Sequence, residues 1–303
     1  MIYITVAICT HNRKDLLQMA IESLINQSLP KEKYEILIID NCSQDSTEQY
    51  IKNLQKDMPN LRYLYQPILG VSASRNAGWK NAKGNIVAYL DDDEIAASDW
   101  LKIIYETFKL NNQLQWLGGK IELIWETKKP NWLHDELLAP LGQLNLSENP
   151  RFLTTKEYVG VGNSAFRKNV LAELKGFDEN LGRKGQNLLS NEEILLKLQF
   201  QEKGIRIYYH PKMLIYNWIN KERLTQKWFI RRFFWQGISD AKTYRIIHKK
   251  RKKQIIKYIK TLVKRLFTVR FYKILIRKSD SELQFLEKCK LYKFLGYIYG
   301  MLR

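Results

Sequence analysis

Residues 2–90 alternate between apolar runs of strand length and segments with helical features, and this alternation constrains the fold more than any other feature. The strand-length runs cover residues 2–9, 34–39, 61–65 and 86–90. Predicted helices follow the first three runs, at 15–26, at about 46–56 and after Gly70. They are indicated by apolar residues at helical spacing or by turn residues that can cap a helix. Strands that alternate with helices predict an α/β protein with a mainly parallel sheet. Ligands of such sheets bind beyond the carboxyl ends of the strands.

Polar clusters follow three of these predicted strands directly. They are Thr-His-Asn-Arg at 10–13, Asp-Asn at 40–41, and Asp-Asp-Asp-Glu at 91–94. We therefore expect all three clusters to meet at one edge of the sheet. The acidic cluster lies in a chain of formal net charge +19. Crowded carboxylates repel each other unless a cation neutralises them, and hard ions such as Mg²⁺ or Mn²⁺ prefer oxygen ligands. The cluster predicts a metal-diphosphate site, with a solvated acidic turn as the alternative.

These segments, with Ser-Arg-Asn-Ala-Gly at 74–78, resemble the ordered motifs of glycosyltransferase family 2. Residues 160–167, 176–182 and 190–196 resemble the family's acceptor-side strand, the turn after it and the segment with the catalytic base. The resemblance covers roughly residues 1–240, and the chain resembles bacterial cell-surface polysaccharide glycosyltransferases. It implies a GT-A-type nucleotide-diphospho-sugar-binding sheet flanked by helices.

The resemblance also implies roles for individual residues. The predicted nucleotide-sugar pocket consists of Thr10, His11, Arg13, Asp40, Asn41, Arg75, Asp91 and Asp92. Asp93 is the expected main metal ligand, with Asp91 beside it. Glu193 is the expected general base, and its neighbour Glu192 is the alternative. Family members often carry a His after the strand that follows the base helix, where this chain has Asn217 or Trp218.

Four residues are candidate acceptor contacts. Gly162 and Asn163 lie in the segment that resembles the acceptor-side strand. Trp125 and Trp132 lie in a loop-rich stretch, and large aromatic faces can stack on sugar rings. The alternative for the two tryptophans is that they anchor a loop or a core by packing.

The implied reaction is transfer of a sugar from a UDP- or GDP-linked donor to a glycan or lipid-linked acceptor, with inversion at the anomeric carbon. A carboxylate base and a divalent ion, Mg²⁺ or Mn²⁺, suffice for such a single displacement. The resemblance therefore predicts a role in polysaccharide biosynthesis.

The positive charge is concentrated near the end of the chain. Residues 241–303 carry a net charge of +16 and residues 1–240 only +3, which predicts a transferase domain at 1–240 and a basic tail at 241–303. Apolar and basic residues interleave at helical spacing over 255–267, a pattern typical of an amphipathic helix. Such a helix can bind an anionic membrane surface, and packing against protein is the alternative.

The remaining features bear on location. No apolar run reaches the ~20 residues that cross a bilayer. The three scattered cysteines fit a reducing compartment. We expect a cytoplasmic protein that can lie peripherally on the inner face of the cell membrane.

Three alternatives belong to other functional classes. The basic composition also suits a nucleic-acid-binding protein, but the positive charge is confined to the tail and the acidic cluster would repel phosphates, so we expect no nucleic acid partner. A nucleotidyltransferase that makes a nucleotide-sugar would need a Gly-rich basic loop, and residues 10–14 contain no Gly. A catalytically inactive membrane-associated scaffold stays open.

Overall fold

The structure is a computed structural model that describes residues 1–248 and 281–303. Its contacts divide the chain into two units. The sheet unit comprises Met1–Ile124, Gly142–Asn180 and Glu192–Trp218. The helical unit comprises Trp125–Leu141, Leu181–Asn191 and the described residues from 219 onward.

Nine strands form one sheet. They are β1 Ile4–Thr10, β2 Tyr34–Asp40, β3 Leu61–Tyr65, β4 Ile86–Tyr89, β5 Glu94–Ala96, β6 Trp116–Trp125, β7 Arg151–Phe152, β8 Ser164–Arg167 and β9 Tyr208–Ile219. The strand order is β3-β2-β1-β4-β8-β6-β9-β5, and β7 pairs with β9. The described helices are α1 Lys14–Ile25, α2 Thr47–Leu54, α3 Val71–Asn81, α4 Trp100–Leu110, α5 Lys168–Glu173, α6 Glu192–Glu202, α7 Gln226–His248 and α8 Glu282–Leu302.

The four strands predicted from the apolar runs form the parallel half of this sheet. β1 pairs in parallel with β2 and β4, and β2 pairs in parallel with β3. The other half differs from the expected mainly parallel sheet, because β8 runs antiparallel to β4 and β6, and β9 runs antiparallel to β5 and β7. Helices also separate these later strands, with α4 between β5 and β6 and with α5 and α6 between β8 and β9, so alternation of strands and helices does not by itself specify parallel pairing.

The parallel strands are buried on both faces. Ile4, Val6 and Ile8 of β1 pack with α1 and α4 in one core, while Ala7 packs with Trp79 of α3 in the other. Successive residues of a strand point to opposite faces, so a run of apolar residues fills both cores at once. This packing fixes the parallel strands, and the carboxyl ends of β1 and β2 lie side by side at one edge of the sheet.

Two helices dominate the helical unit, and they approach each other closely. A Cβ atom added to Gly237 of α7 would lie 1.8 Å from the carbonyl oxygen of Lys293 in α8. A Cβ atom added to Gly296 of α8 would lie 1.9 Å from the carbonyl oxygen of Phe234 in α7. Glycine at these positions allows backbone to meet backbone, and α8 buries Phe285 and Cys289.

The predicted boundary near residue 240 falls inside α7, which continues to His248 without interruption. Net charge changes at this point in the sequence, but the helix does not end there. In the described part of the predicted tail, α8 packs on α7 as a structural element. The predicted amphipathic helix at 255–267 lies outside the described residues. Among the described residues, no helix is both long enough and apolar enough to cross a membrane.

Candidate active site

The carboxyl edge of the parallel strands gathers the three predicted polar clusters. Thr10 and Asp40 are the last residues of β1 and β2, and they pair with each other across the sheet. β4 is the neighbour of β1 and ends at Tyr89. The acidic cluster begins at Asp91, two residues after that end. The prediction that the clusters converge is therefore confirmed by the strand register.

Asp92 is tied to the end of β1 by two side chains. Arg13 Nη1 donates to Asp92 Oδ1 at 2.7 Å and lies 3.3 Å from Asp93 Oδ2. Thr10 Oγ1 donates to Asp92 Oδ2 at 2.9 Å. Burial raises the pKa of Asp92 to about 6, although Arg13 acts in the opposite direction. Asp92 thus holds the Thr10 and Arg13 side chains in place, and its contact with the sugar stays a prediction.

Arg75 links the acidic cluster to the segment that carries the predicted base. Its Nη1 donates to Glu192 Oε1 at 2.7 Å, and its Nη2 lies 3.1 Å from Asp91 Oδ1. Burial of this guanidinium opposes its charge, yet the neighbouring Asp91 and Glu192 carboxylates hold the pKa of Arg75 above its ordinary value, with a smaller contribution from Glu193. The family resemblance predicted that Arg75 belongs to the nucleotide-sugar pocket. It did not indicate the bridge from Arg75 to Glu192.

The bridge distinguishes the two candidate bases. Glu192 is buried and accepts from Arg75 through one oxygen. Glu193 is partly exposed and lies in the first turn of α6, close enough to influence the Arg75 charge. A side chain committed to a buried ion pair is poorly suited to accept a substrate proton. Glu193 therefore stays the predicted base, and Glu192 holds Arg75.

Glu94 is a site residue that the sequence reasoning did not assign. It is buried, and its Oε2 accepts from the backbone N–H of Asp91 at 2.8 Å. Burial raises the pKa of Glu94 well above its ordinary value, and Asp91 and Asp93 act in the same direction. A Cβ atom at Gly162 would lie 2.5 Å from Glu94 Oε2 and 2.9 Å from Asp91 Oδ2. Gly162 is thus needed for the close approach of this backbone to the two carboxylates.

Asn163, predicted with Gly162 to contact the acceptor, has a scaffold position instead. Its Oδ1 accepts from Trp100 Nε1 at 2.8 Å, and its Nδ2 donates to the carbonyls of Lys120 and Met213. The residue has no exposed surface. A buried amide with these partners stabilises the sheet, and the structure does not place it where an acceptor could reach it.

The predicted nucleotide residues of β2 organise the loop before α3. Asn41 Nδ2 donates to the carbonyls of Gln66 and Ile68, and Asn41 Oδ1 accepts from Gly70 N–H at 2.7 Å. His11 Nδ1 lies 2.6 Å from the Asn41 carbonyl oxygen. Both amide protons of Asn41 are therefore used within the protein, and a base contact from this side chain would have to come from its remaining lone pair.

Asp40 is similarly engaged but keeps more acceptor capacity. Its Oδ2 accepts from Tyr63 Oη at 2.8 Å, and its Oδ1 accepts from Ser43 N–H at 2.9 Å. A carboxylate offers about four acceptor sites, so two of them stay available. The ribose or nucleobase contact of Asp40 stays a prediction that its hydrogen bonds permit.

The residues at the acidic cluster fit a divalent cation with few protein ligands. Within residues 1–248 and 281–303, no group of three or more His, Cys, Asp or Glu side chains could by itself hold a metal ion. Asp91 and Asp93 nevertheless supply oxygen donors, and they raise the pKa of Glu94 by their proximity. Mg²⁺ commonly binds through one or two carboxylates together with substrate phosphates and water. Such a donor set suits Mg²⁺ or Mn²⁺ when a diphosphate is present.

The stretch that lacks the expected His lies beside these acids. β9 pairs with β5 so that Asn217 stands opposite Glu94, and Trp218 N–H donates to the Asp93 carbonyl at 2.8 Å. The contact of this stretch with Asp93 in the structure is made by backbone.

The two candidate acceptor tryptophans belong to the helical unit. Trp125 is the last residue of β6. The Trp132 ring packs edge-on against Phe229 and Phe285, with ring centroids 5.6 and 5.0 Å apart. Trp132 therefore serves as a packing anchor of this unit, which was the alternative for both tryptophans. An acceptor contact for either one stays a prediction.

Comparison with known proteins agrees with this geometry. Residues 5–174 match the family described as Glycosyl transferase family 2. Over 243 residues the chain is 25% identical to the glucosyl-dolichyl phosphate glucuronosyltransferase of Haloferax volcanii, covering 78% of this chain and 75% of that protein.

Two solved structures share the fold. S. aureus TarS in complex with UDP superposes with a TM-score of 0.57 at 17% identity, covering 98% of this chain and 89% of that chain. The mannosyltransferase PcManGT from Pyrobaculum calidifontis, in complex with GDP-Man and Mn²⁺, has a TM-score of 0.58 at 20% identity and covers 80% and 64%. The sheet and its flanking helices thus form a GT-A fold. The chain belongs to glycosyl transferase family 2.

Proposed function

We propose that this glycosyltransferase moves a sugar from a nucleoside-diphosphate donor to a glycan or lipid-linked acceptor, with inversion at the anomeric carbon. The observation that carries the proposal is the Arg75 bridge, which holds Asp91 and Glu192 within hydrogen-bonding distance of one guanidinium. It joins the acidic cluster to the start of α6, where Glu193 follows Glu192 directly. A base near the diphosphate-binding acids is the arrangement that a single displacement needs.

The proposed chemistry uses one proton transfer and one displacement. The Glu193 carboxylate accepts the proton of the acceptor hydroxyl while that oxygen forms a bond to the anomeric carbon. The bond from the anomeric carbon to the diphosphate oxygen breaks on the opposite face, and the nucleoside diphosphate leaves. A divalent cation held by Asp93 and Asp91 would neutralise charge on that diphosphate. Arg75 maintains the spacing between these acids and the base segment.

The comparisons support the substrate classes. TarS binds UDP, PcManGT binds GDP-Man with Mn²⁺, and the Haloferax relative is named for action on a dolichyl phosphate. We therefore infer a UDP- or GDP-linked donor and a glycan or lipid-linked acceptor. No finding favours a nucleotidyltransferase or an inactive scaffold.

The base assignment is tested with matched amide substitutions in α6. Glu193→Gln keeps the shape of the side chain and removes its basicity, so transfer should fall by about 10²–10⁴-fold while donor binding persists. Glu202→Gln, at the exposed end of the same helix, is the control and should leave transfer unchanged. Glu192→Gln should have a smaller effect than Glu193→Gln because an amide oxygen can still accept from Arg75. A Glu193→Gln enzyme with wild-type turnover would refute the assignment.

The cation is tested by calorimetry with UDP and GDP, in Mn²⁺, in Mg²⁺ and in EDTA. Asp93→Asn should weaken the metal-dependent binding, whereas Asp57→Asn, an exposed acid that follows α2, should not. Equal nucleotide affinity with and without the metal would show that the acidic cluster does not act through a cation.

We propose further that basic residues within 249–280 attract an anionic membrane surface, where a lipid-linked acceptor would lie. The support is the charge of the sequence, which concentrates 13 Lys and Arg there against one acid. Deletion from residue 241 is an unsuitable test because it cuts α7 and removes α8. Replacement of five of these basic residues by Gln should reduce sedimentation with phosphatidylglycerol vesicles at low salt. Unchanged sedimentation would refute the membrane proposal.

A further inference from the structure

A network of mostly part-buried hydrogen bonds in the helical unit holds the two residues that immediately precede α6. Asn191 Nδ2 donates to Asp240 Oδ1 at 2.9 Å and lies 3.3 Å from Thr243 Oγ1. Gln236 Nε2 donates to Asn191 Oδ1 at 2.8 Å and to Asp240 Oδ1 at 2.9 Å. Both ends of the Asn191 amide are thus bound to one face of α7.

Ser190 is held by the same face. Its backbone N–H donates to Ser239 Oγ at 3.0 Å, and its hydroxyl donates to Gln236 Oε1 at 3.1 Å. Asp240 in turn accepts from Lys293 Nζ of α8 at 2.9 Å. Residues 190–191 are therefore connected through α7 to α8 by hydrogen bonds and an ion pair that mostly involve side chains.

The backbone at Asn191 shows why this anchoring matters. Its φ of 79° lies in the left-handed region, which most side-chain-bearing residues avoid and Asn tolerates best. The next two residues along the chain are Glu192 and Glu193. A sharp, left-handed turn sets the direction in which the following helix begins, so the bonds that fix Asn191 also fix the first turn of α6.

We infer that this α7 network positions the catalytic base. Asn191 and Asp240 act as positioning residues, and they affect transfer through the placement of Glu193 rather than by touching substrate. The inference rests on the proposed role of Glu193. Within the helical unit, α8 contacts α7 through Lys293 and Asp240, and α7 holds residues 190–191.

The test uses the full chain with Asn191→Gly. Glycine accepts the positive φ without strain and removes the bonds of the Asn191 side chain to α7, so the change is directed at that part of the network. A misplacement of about 1 Å at a reacting group can cost 10²-fold, so we expect kcat to fall by about 10- to 100-fold. Donor KM and calorimetric affinity for UDP or GDP should stay within about twofold, because donor binding does not use the base.

Asp240 supplies an independent pair of variants. Asp240→Ala removes the acceptor shared by Asn191 and Gln236 and should reproduce the loss of kcat. Asp240→Asn retains an oxygen acceptor of the same shape and should restore most of the activity. Lys290→Ala is the matched control, since Lys290 of α8 pairs with Glu136 and Glu287 in the same unit and should leave kcat unchanged. Melting temperatures of all variants identify any that fail to fold.

A double variant separates positioning from general stability. If the network acts through the base, Asn191→Gly should cause no further loss of kcat in a Glu193→Gln background. A further loss by the same factor, or wild-type kcat in folded Asn191→Gly and Asp240→Ala, would overturn the inference. Transfer by Glu193→Gln itself at the wild-type rate would instead refute the proposed base, whatever the Asn191 variant does.

Discussion

Replacement of Gly237 or Gly296 by Ala should destabilise the helical unit. The added Cβ at Gly237 would lie 1.8 Å from the Lys293 carbonyl oxygen and 2.5 Å from the Tyr297 nitrogen, and the one at Gly296 would lie 1.9 Å from the Phe234 carbonyl oxygen. These neighbours are backbone atoms, so no rotamer change relieves the contact. Nonbonded carbon atoms rest at about 3.5–4.0 Å, so the helices would have to separate by roughly 1.5 Å.

The size of the effect follows from two opposing contributions. Overpacking of a tight interface costs about 1–3 kcal/mol, and a gap of 0.5–1 Å forfeits about a quarter to a half of each dispersion contact. Replacement of a helical Gly by Ala gives back about 0.5–1 kcal/mol of backbone entropy. Because the helices are forced apart by so much, we expect the overpacking cost to lie near the upper end of its range of about 1–3 kcal/mol. After the entropy gain is subtracted, the expected net loss of stability is about 2 kcal/mol. For a chain of 303 residues that lowers Tm by about 3 °C.

The assay is thermal unfolding followed by circular dichroism. Gly300→Ala is the graded control, because its Cβ would meet the Ala241 side chain at 2.9 Å and the Ile238 Cα at 3.0 Å. It should destabilise less than the other two changes while receiving the same gain in helix propensity. Melting temperatures of Gly237→Ala and Gly296→Ala at or above that of Gly300→Ala would refute the close approach of the helices.

Three further perturbations have distinct expected outcomes. Arg75→Lys should keep the fold by circular dichroism but lower kcat, because an ammonium lacks the planar fork that spans Asp91 and Glu192; wild-type kinetics would contradict this. Asn41→Ala should weaken nucleotide binding in calorimetry by releasing the loop before α3, and unchanged affinity would argue against that role. Hydrogen bonding by Arg151 lowers the pKa of Glu157 to about 2, so this carboxylate stabilises the fold above pH 4.5 and progressively less as pH falls toward 2. Glu157→Gln should therefore lower Tm at pH 7, with a difference that narrows in acid; a constant difference would contradict it.

The parallel half of the sheet could be read from local patterns because its signals are local. β3 was predicted at the residues where it occurs, and α1 and α2 lie within two residues of their predicted bounds. Each of these elements has a periodic apolar pattern that ends in turn-forming residues. The antiparallel half gave no such signal, since β5, β7 and β8 are short and are defined by partners distant in the sequence.

The helical unit illustrates the limit of composition as a guide. The change in charge near residue 240 suggested a boundary, but α7 continues across it because Asp240, Ala241 and Thr243 face inward. The informative signal was the spacing of small residues, with Gly237 and Ala241 on one helix and Gly296 and Gly300 on the other. Small residues four apart allow close helix contact, and here they pair within one chain.

The acidic cluster shows most clearly what contacts between distant residues add to a motif. Its members are chemically alike and adjacent, yet three of them meet different partners: Asp91 pairs with Arg75, Asp92 with Arg13 and Thr10, and Glu94 accepts from the backbone at Asp91. Successive side chains point in different directions as the chain leaves β4 and enters β5, so neighbours in the sequence enter different environments. Burial raises the pKa of Asp92 and of Glu94. The motif predicted that this edge of the sheet would bind a cation, while the division of roles among its acids depends on partners that the distant parts of the chain supply.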